Sequence, residues 1–238
     1  MKKLLLLTFA VICIGIIIPC KVHAVDISIG ATTWYSWWDF DSGSDYDADI
    51  DPTFLYGPAL SVKFNDDFNL TFVYLYGKYD MKTTYEDSGV SVTEKGTVKR
   101  KDSDTALNYR LNDYFKVFAG LKYMSFLQDF NHRGFGPGVG LSATYPVAEN
   151  LFLLATFSGF YLWGEEGSNG DYKEYGFNST LSLAYYIASA STTVSLGGRF
   201  QYVKTDYDED YAESGNKNSN TKSKIYGVTL TATYSFNI

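Results

Sequence analysis

Few residues of this 238-residue chain have the types and spacing that chemistry requires. Of its two histidines, His23 stands near the N-terminus and His132 in the short stretch Asn131-His132-Arg133-Gly134, with Asp129 nearby. A hydrolytic mechanism needs a nucleophile or water held by a base, and the base oriented by a third group. His132 could be the base and Asp129 the orienting acid, but neither a Gly-x-Ser-x-Gly nor a paired-histidine motif supplies the remainder. A lone loop histidine is expected to face solvent, so the sequence assigns no catalytic residue. A second candidate is the acidic run from Asp39 to Asp51, where Asp45, Asp47 and Asp49 alternate with other residues. Clustered carboxylates suit Ca²⁺, which takes about six to eight oxygens. The run lacks the bidentate Glu of an EF-hand loop, so a solvated acidic loop is the plainer expectation.

The elements that would position such residues begin after a leader. Lys2 and Lys3 precede an apolar run from Leu4 to Ile18, and Val22-His23-Ala24 is a small-residue cleavage site, which predicts a signal peptide over 1–24 and one domain over 25–238. Pro19 before Cys20 makes a poor lipidation signal. Cleavage would remove both cysteines, leaving no disulfide, thiolate metal site or cysteine nucleophile. It would also remove three lysines and take the formal charge from -7 to -10. An acidic chain is a poor partner for nucleic acid. Aromatic residues make up 18% of a chain with mean hydropathy of only -0.15, a combination that argues against disorder and is unusual for a soluble enzyme.

Alternation resolves that combination. The longest uncharged stretch after the leader, Tyr175 to Gly198, has the length of a membrane helix, but nine of its 24 residues are Ser, Thr or Asn and its apolar residues recur every second position. Period two is a strand signal. The same alternation predicts ten strands, at 25–38, 53–64, 68–80, 102–110, 116–127, 135–145, 151–163, 174–187, 192–203 and 223–237. Connections after the even-numbered strands are tight turns, whereas most of the others are long and polar. The segments 39–52, 81–101, 128–134, 164–174 and 204–221 carry the entire net charge, so strands and turns balance to zero. In the last strand Val228, Leu230, Ala232, Tyr234, Phe236 and Ile238 oppose a column of Thr, Ser and Asn. Such a pattern fits an apolar outer wall and a wet inner one, with strands of about 10 residues sufficient to cross a bilayer. Val90 to Val98 reads as a hairpin standing above the membrane; if it reached the wall, the ring would have twelve strands.

Face assignment puts Lys63, Arg110, Lys122 and Arg199 on the inner column, with Asp104, Asn108, Asn178 and Gln201. Basic residues lining an open pore would favour anions. Paired with inner carboxylates, they would instead hold a narrow barrel shut. Trp34, Tyr35, Trp37, Trp38, Tyr74, Tyr76, Tyr79, Tyr161 and Trp163 lie near the loop-side strand ends, where barrels carry an aromatic belt. A carbohydrate or hydrophobic-ligand site could use the same rings. Trp34 and Trp38 fall on the face opposite Tyr35 and Trp37, so some of these rings are expected to point inward.

The leader, the alternating strands and the terminal Tyr234-Ser-Phe236-Asn-Ile238 resemble the bacterial outer-membrane β-barrel proteins, in particular the small closed barrels. The resemblance implies an all-β, closed, antiparallel up-and-down transmembrane barrel of about ten strands. It also implies surrounding outer-membrane lipids, recognition of the last strand by the barrel-assembly machinery, and no cofactor. The chain ends on Ile238 where the commonest form of that class has Phe. A structural or surface-interaction role, a narrow porin-like channel for small anionic solutes, and an outer-leaflet lipid enzyme or protease are the three roles such a barrel could fill.

Overall fold

The computed structural model describes residues 25–41, 47–87, 90–127, 131–166, 171–207 and 220–238. The predicted leader, residues 1–24, together with Asp45 and Asp129, lies outside them. Among the described residues eleven strands follow one another: β1 (Asp26–Asp41), β2 (Asp47–Ile50), β3 (Thr53–Lys63), β4 (Phe68–Asp87), β5 (Val90–Arg110), β6 (Phe115–Leu127), β7 (Asn131–Ala148), β8 (Leu151–Glu166), β9 (Asp171–Ile187), β10 (Thr192–Tyr207) and β11 (Asn220–Asn237). Each ring strand pairs antiparallel with its neighbours, and the β1–β11 pairing joins the first strand to the last. Ten strands thus close on themselves, while β2 stands outside the ring and pairs with β4. Closure leaves no free sheet edge for lipid to meet, the condition for a strand protein to cross a membrane.

Turn chemistry fixes one end of the barrel. Asn65 Oδ1 accepts hydrogen bonds from the backbone N–H of Asp67 and Phe68, and Asn112 Oδ1 accepts them from Tyr114 and Phe115. Both are Asx turns that reverse the chain within a few residues. Asn150 and Ser191 hold φ of 63° and 46° in the other two turns. At the opposite end the strands run on well past the need of a membrane crossing. β4 and β5 have 20 and 21 residues and stay paired from Phe68↔Tyr109 to Asp87↔Val90. At about 3.4 Å per residue such a ribbon is roughly twice as long as a hydrocarbon layer is thick. Residues 81–87 and 90–101 therefore continue the ladder, and Val90–Val98 is not a hairpin of its own but the upper part of β5 paired to β4, so the ring has ten strands and not twelve.

The two faces of the wall differ as the period-two pattern requires. Outward lie Ile29, Leu60, Val139, Leu141, Leu181, Leu183, Val228 and Leu230, all exposed. Inward along the β1–β11 seam, hydroxyls bond across the strands, Ser28 to Ser235 at 2.8 Å and Thr32 to Thr231 at 2.7 Å. An apolar exterior around a polar interior inverts the order of a soluble protein and suits a lipid solvent.

Candidate functional site

The inward side chains of the loop-side half converge on Asp102. Its Oδ1 accepts a hydrogen bond from Lys122 Nζ at 2.7 Å and its Oδ2 one from Arg100 Nη2 at 2.8 Å. Lys122 also donates to Asp104 at 3.0 Å, and Arg199 Nη2 stands 3.5 Å from Asp104 and 3.9 Å from Asp102. Arg100, Asp102 and Asp104 are on β5, Lys122 on β6 and Arg199 on β10, so the ion pairs span the lumen. Arg100 also donates to Gln201 of β10. Three cations meet two carboxylates, and aromatic faces take up the surplus. The Arg199 guanidinium lies 4.6 Å from the Trp34 ring centroid, and that of Arg100 lies 5.2 Å from Phe126. Arg–aromatic contacts of this kind contribute about 0.5–2 kcal/mol, the upper end applying where water is excluded.

Two small apolar groups flank this charge cluster. Trp34, Leu55, Leu75, Tyr79 and Ile225 are fully or almost fully buried and pack with Trp38. Met124, Phe160, Leu162 and Val203 form the other group. The Tyr79 hydroxyl bonds Ser36 at 2.5 Å, and Trp38 Nε1 donates to Ser223 at 2.6 Å. Trp34, Tyr79, Arg100, Lys122, Met124 and Gln201 have essentially no solvent exposure, so the lumen is filled at this level. Below the charge cluster, toward the turns, a cavity of about 410 Å³ is lined by Thr71, Ser142, Thr156, Ser158, Asn178 and Lys116, with Asp104, Lys122 and Arg199 at its roof.

His132 belongs to a third group nearer the loop end. It lies on β7, buried, and not in a solvated loop as its sequence context suggests. The reason is the length of the wall: β7 starts at Asn131, so His132 has an inward register position where a loop was expected. Its Nε2 is 2.8 Å from Glu174 Oε1, which also accepts from Thr205 at 3.1 Å. The Tyr172 ring stacks on the imidazole at 3.9 Å. Room for that ring comes from two glycines paired in register, Gly134 and Gly164. A Cβ on Gly164 would stand 2.0 Å from Tyr172 Cζ, and one on Gly134 would stand 2.9 Å from Glu174 Oε2. An imidazole bonded to a carboxylate is two parts of a hydrolytic triad. Here the Thr205 hydroxyl donates to Glu174 and not to the imidazole, and the ring is covered.

Of the charges assigned to the inner column, Asp104, Lys122 and Arg199 come together. Lys63 and Arg110 share the inner register but sit at the turn-side rim, about 40% exposed, near Asp26 and Asp66 and near Asp67 and Asp113. Of the aromatic belt, Tyr35, Trp37, Tyr74, Tyr76, Tyr161 and Trp163 occupy outward register positions. Trp34, Trp38 and Tyr79 do not belong to it, because alternation turns them into the lumen, where they are core. Asp47 and Asp49 stand two apart on β2. Among the described residues no group of three His, Asp or Glu side chains is placed to hold a metal ion. Sequence reasoning missed Arg100, Asp102, Tyr172 and Glu174. Arg100 and Asp102 share the parity of Asp104 and Asn108, a usable signal, but Arg100 belongs to a basic run that reads as loop.

A closed ten-stranded antiparallel ring with an apolar exterior and an ion-paired, hydroxyl-rich interior defines the fold of the bacterial outer-membrane β-barrels. Solved structures similar to the chain are of that class. The outer membrane protease OmpT from Escherichia coli superposes with a TM-score of 0.53 at 11% identity, over 92% of this chain and 98% of that one. The beta domain of the Bordetella autotransporter BrkA matches with a TM-score of 0.49 at 10% identity, over 90% and 100%. A major outer membrane protein from Thermus thermophilus gives 0.46 at 16% identity, over 90% and 100%. No protein-family model and no curated protein matches the chain. At such identities the likeness carries the fold and nothing about activity.

Proposed function

We propose that the protein is exported by the leader 1–24, resides in the outer membrane as a barrel with an occluded lumen, and serves a structural or surface-interaction role. The observation that supports this reading is the complete burial of Trp34, Arg100, Lys122 and Gln201 across the lumen. A conducting pore needs a continuous wet path lined by selecting groups. Here the basic groups are bonded to Asp102 and Asp104, the arrangement expected when intramembrane charges hold a barrel shut. The acidic segments 39–52, 164–174 and 204–221 carry the charge that the barrel would present at the loop end. The covered imidazole of His132 favours a packing role over hydrolysis. A narrow anion-preferring channel is the second reading, favoured by the cavity below the cluster, which has Lys116 in its wall and Lys122 and Arg199 at its roof. Swelling of protein-loaded liposomes in small sugars and amino acids distinguishes the two. The expected rate equals that of empty liposomes, and swelling in proportion to protein loaded would favour the channel.

A further inference from the structure

The outward face of the β4–β5 ribbon opposes the charge of the molecule. The chain has a formal net charge of -7, yet Lys78, Lys82, Lys95, Lys99 and Lys101 all occupy the outward register of these two strands, on the face away from buried Tyr79, Val98, Arg100 and Asp102. Lys78 lies directly opposite Lys99, and Lys82 directly opposite Lys95. Like charges directly opposite on an antiparallel pair destabilise it. By register the face also carries the carboxylate residues Asp80 and Glu86 of β4 and, beside them, Asp47 and Asp49 of β2. Asp80 accepts a hydrogen bond from Thr97 at 3.0 Å, and Asp49 of β2 pairs in register with Lys82. Among the described residues, none of the five lysines comes within ion-pair distance of a carboxylate.

Directly below these lysines the wall is hollowed. A groove of about 640 Å³ is lined by Tyr56, Pro58, Tyr74 and Tyr76, with Lys99 and Lys101 at its charged edge. Its cause lies in β3: proline has no N–H for the ladder, and the β3–β4 pairing is interrupted between Tyr56↔Tyr76 and Ala59↔Val73. The result is an aromatic, apolar hollow on the lipid side of the wall, topped by ammonium groups, at the end of the barrel with the long connections. In barrels of this fold that end is extracellular.

We propose that this face binds a phosphorylated lipid of the outer leaflet, its phosphates held among Lys78, Lys99 and Lys101 and its apolar part lying over Tyr56, Tyr74 and Tyr76. An anion between the opposed lysines removes their repulsion, and lysine is a phosphate ligand that acts as a point charge. The hollow opens on the apolar wall, where lipid is the neighbouring molecule, and so favours a lipid over a nucleic acid or an acidic protein. The site rests on the reading that the wall lies in the outer membrane. The test titrates the purified barrel in detergent micelles with lipid A carrying its phosphates, and with the same lipid dephosphorylated, while native mass spectrometry reads the bound fraction. Wild type is expected to retain the phosphorylated form and to bind it at least tenfold more tightly than K78Q/K99Q/K101Q does. A K63Q variant, altered at the opposite rim, should bind as wild type, and retained heat-modifiable migration on gels shows that each variant has folded. Equal retention of the phosphorylated and dephosphorylated lipid, or of phosphorylated lipid by wild type and the folded triple variant, overturns the site. Folding into phosphatidylcholine vesicles reads membrane residence separately: wild type that folds there but shows no phosphate preference overturns the site alone, and wild type that does not fold there overturns both.

Discussion

Asp102 accepts hydrogen bonds from Arg100 and Lys122 and lies 3.9 Å from Arg199, so Asp102→Asn leaves three cations facing Asp104 alone. Removing one partner of a buried ion pair costs about 3–5 kcal/mol. Unfolding by urea in lipid vesicles, followed by tryptophan fluorescence, should show a loss of that size. Lys63→Gln at the rim, where the pairs are exposed, should cost less than about 1 kcal/mol. Gly164→Ala makes a second case. Its Cβ would meet the Tyr172 ring at 2.0 Å and push it from the His132 stack, an overpacking penalty of about 1–3 kcal/mol. Adding Tyr172→Ala should make the alanine at 164 nearly neutral, and a double-mutant cycle reads that coupling. Residue-level legibility followed alternation. Parity brought Asp104, Lys122 and Arg199 to one lumen, and it also turned Trp34 and Trp38 inward, out of the belt. Arg100 was illegible because it lies within charged sequence that reads as loop, and Glu174 because it stands at the boundary where the predicted strand 174–187 meets the charged segment 164–174.

The β4–β5 ribbon is the element in which sequence and structure differ most. Below Tyr79 one side of each strand meets lipid and the other the lumen, so alternation is strong. Above it both sides face water, and the constraint that writes a period into a sequence disappears. Lys78-Tyr79-Asp80-Met81-Lys82 therefore reads as strand merging into loop, although the ladder continues to Asp87↔Val90. The same physics hides β2, four residues paired only with the upper part of β4. Because the closing β3–β4 and β5–β6 pairings reach no higher than Tyr76 and Lys99, the ring does not depend on the ribbon tip. Deleting 81–96 and joining Asp80 to Thr97 by a two-residue Asn-Gly turn should leave the barrel heat-modifiable on gels, with its β circular dichroism band retained. Loss of the folded band would show that the tip takes part in closure.

At the scale of the molecule, opposite faces of one wall answer to different solvents. Apolar residues that would form the core of a soluble protein lie outside, and charges that would lie outside are tied together within. An aromatic content of 18% beside a slightly negative mean hydropathy is the average over those two faces. The closed ten-stranded fold was legible because its alternation spans nearly every strand, whereas the state of the lumen was not, since it depends on which inward side chains meet across the barrel. Arg199 of β10 and Asp102 of β5 are 97 positions apart, and no local pattern records their approach. The central claim is that these side chains close the lumen. Planar-bilayer recording tests it most directly, with wild type beside a folded Trp34→Ala/Arg100→Ala variant that thins the filled level. The account predicts no discrete steps from wild type and steps from the variant; discrete, reproducible steps from wild type would contradict it.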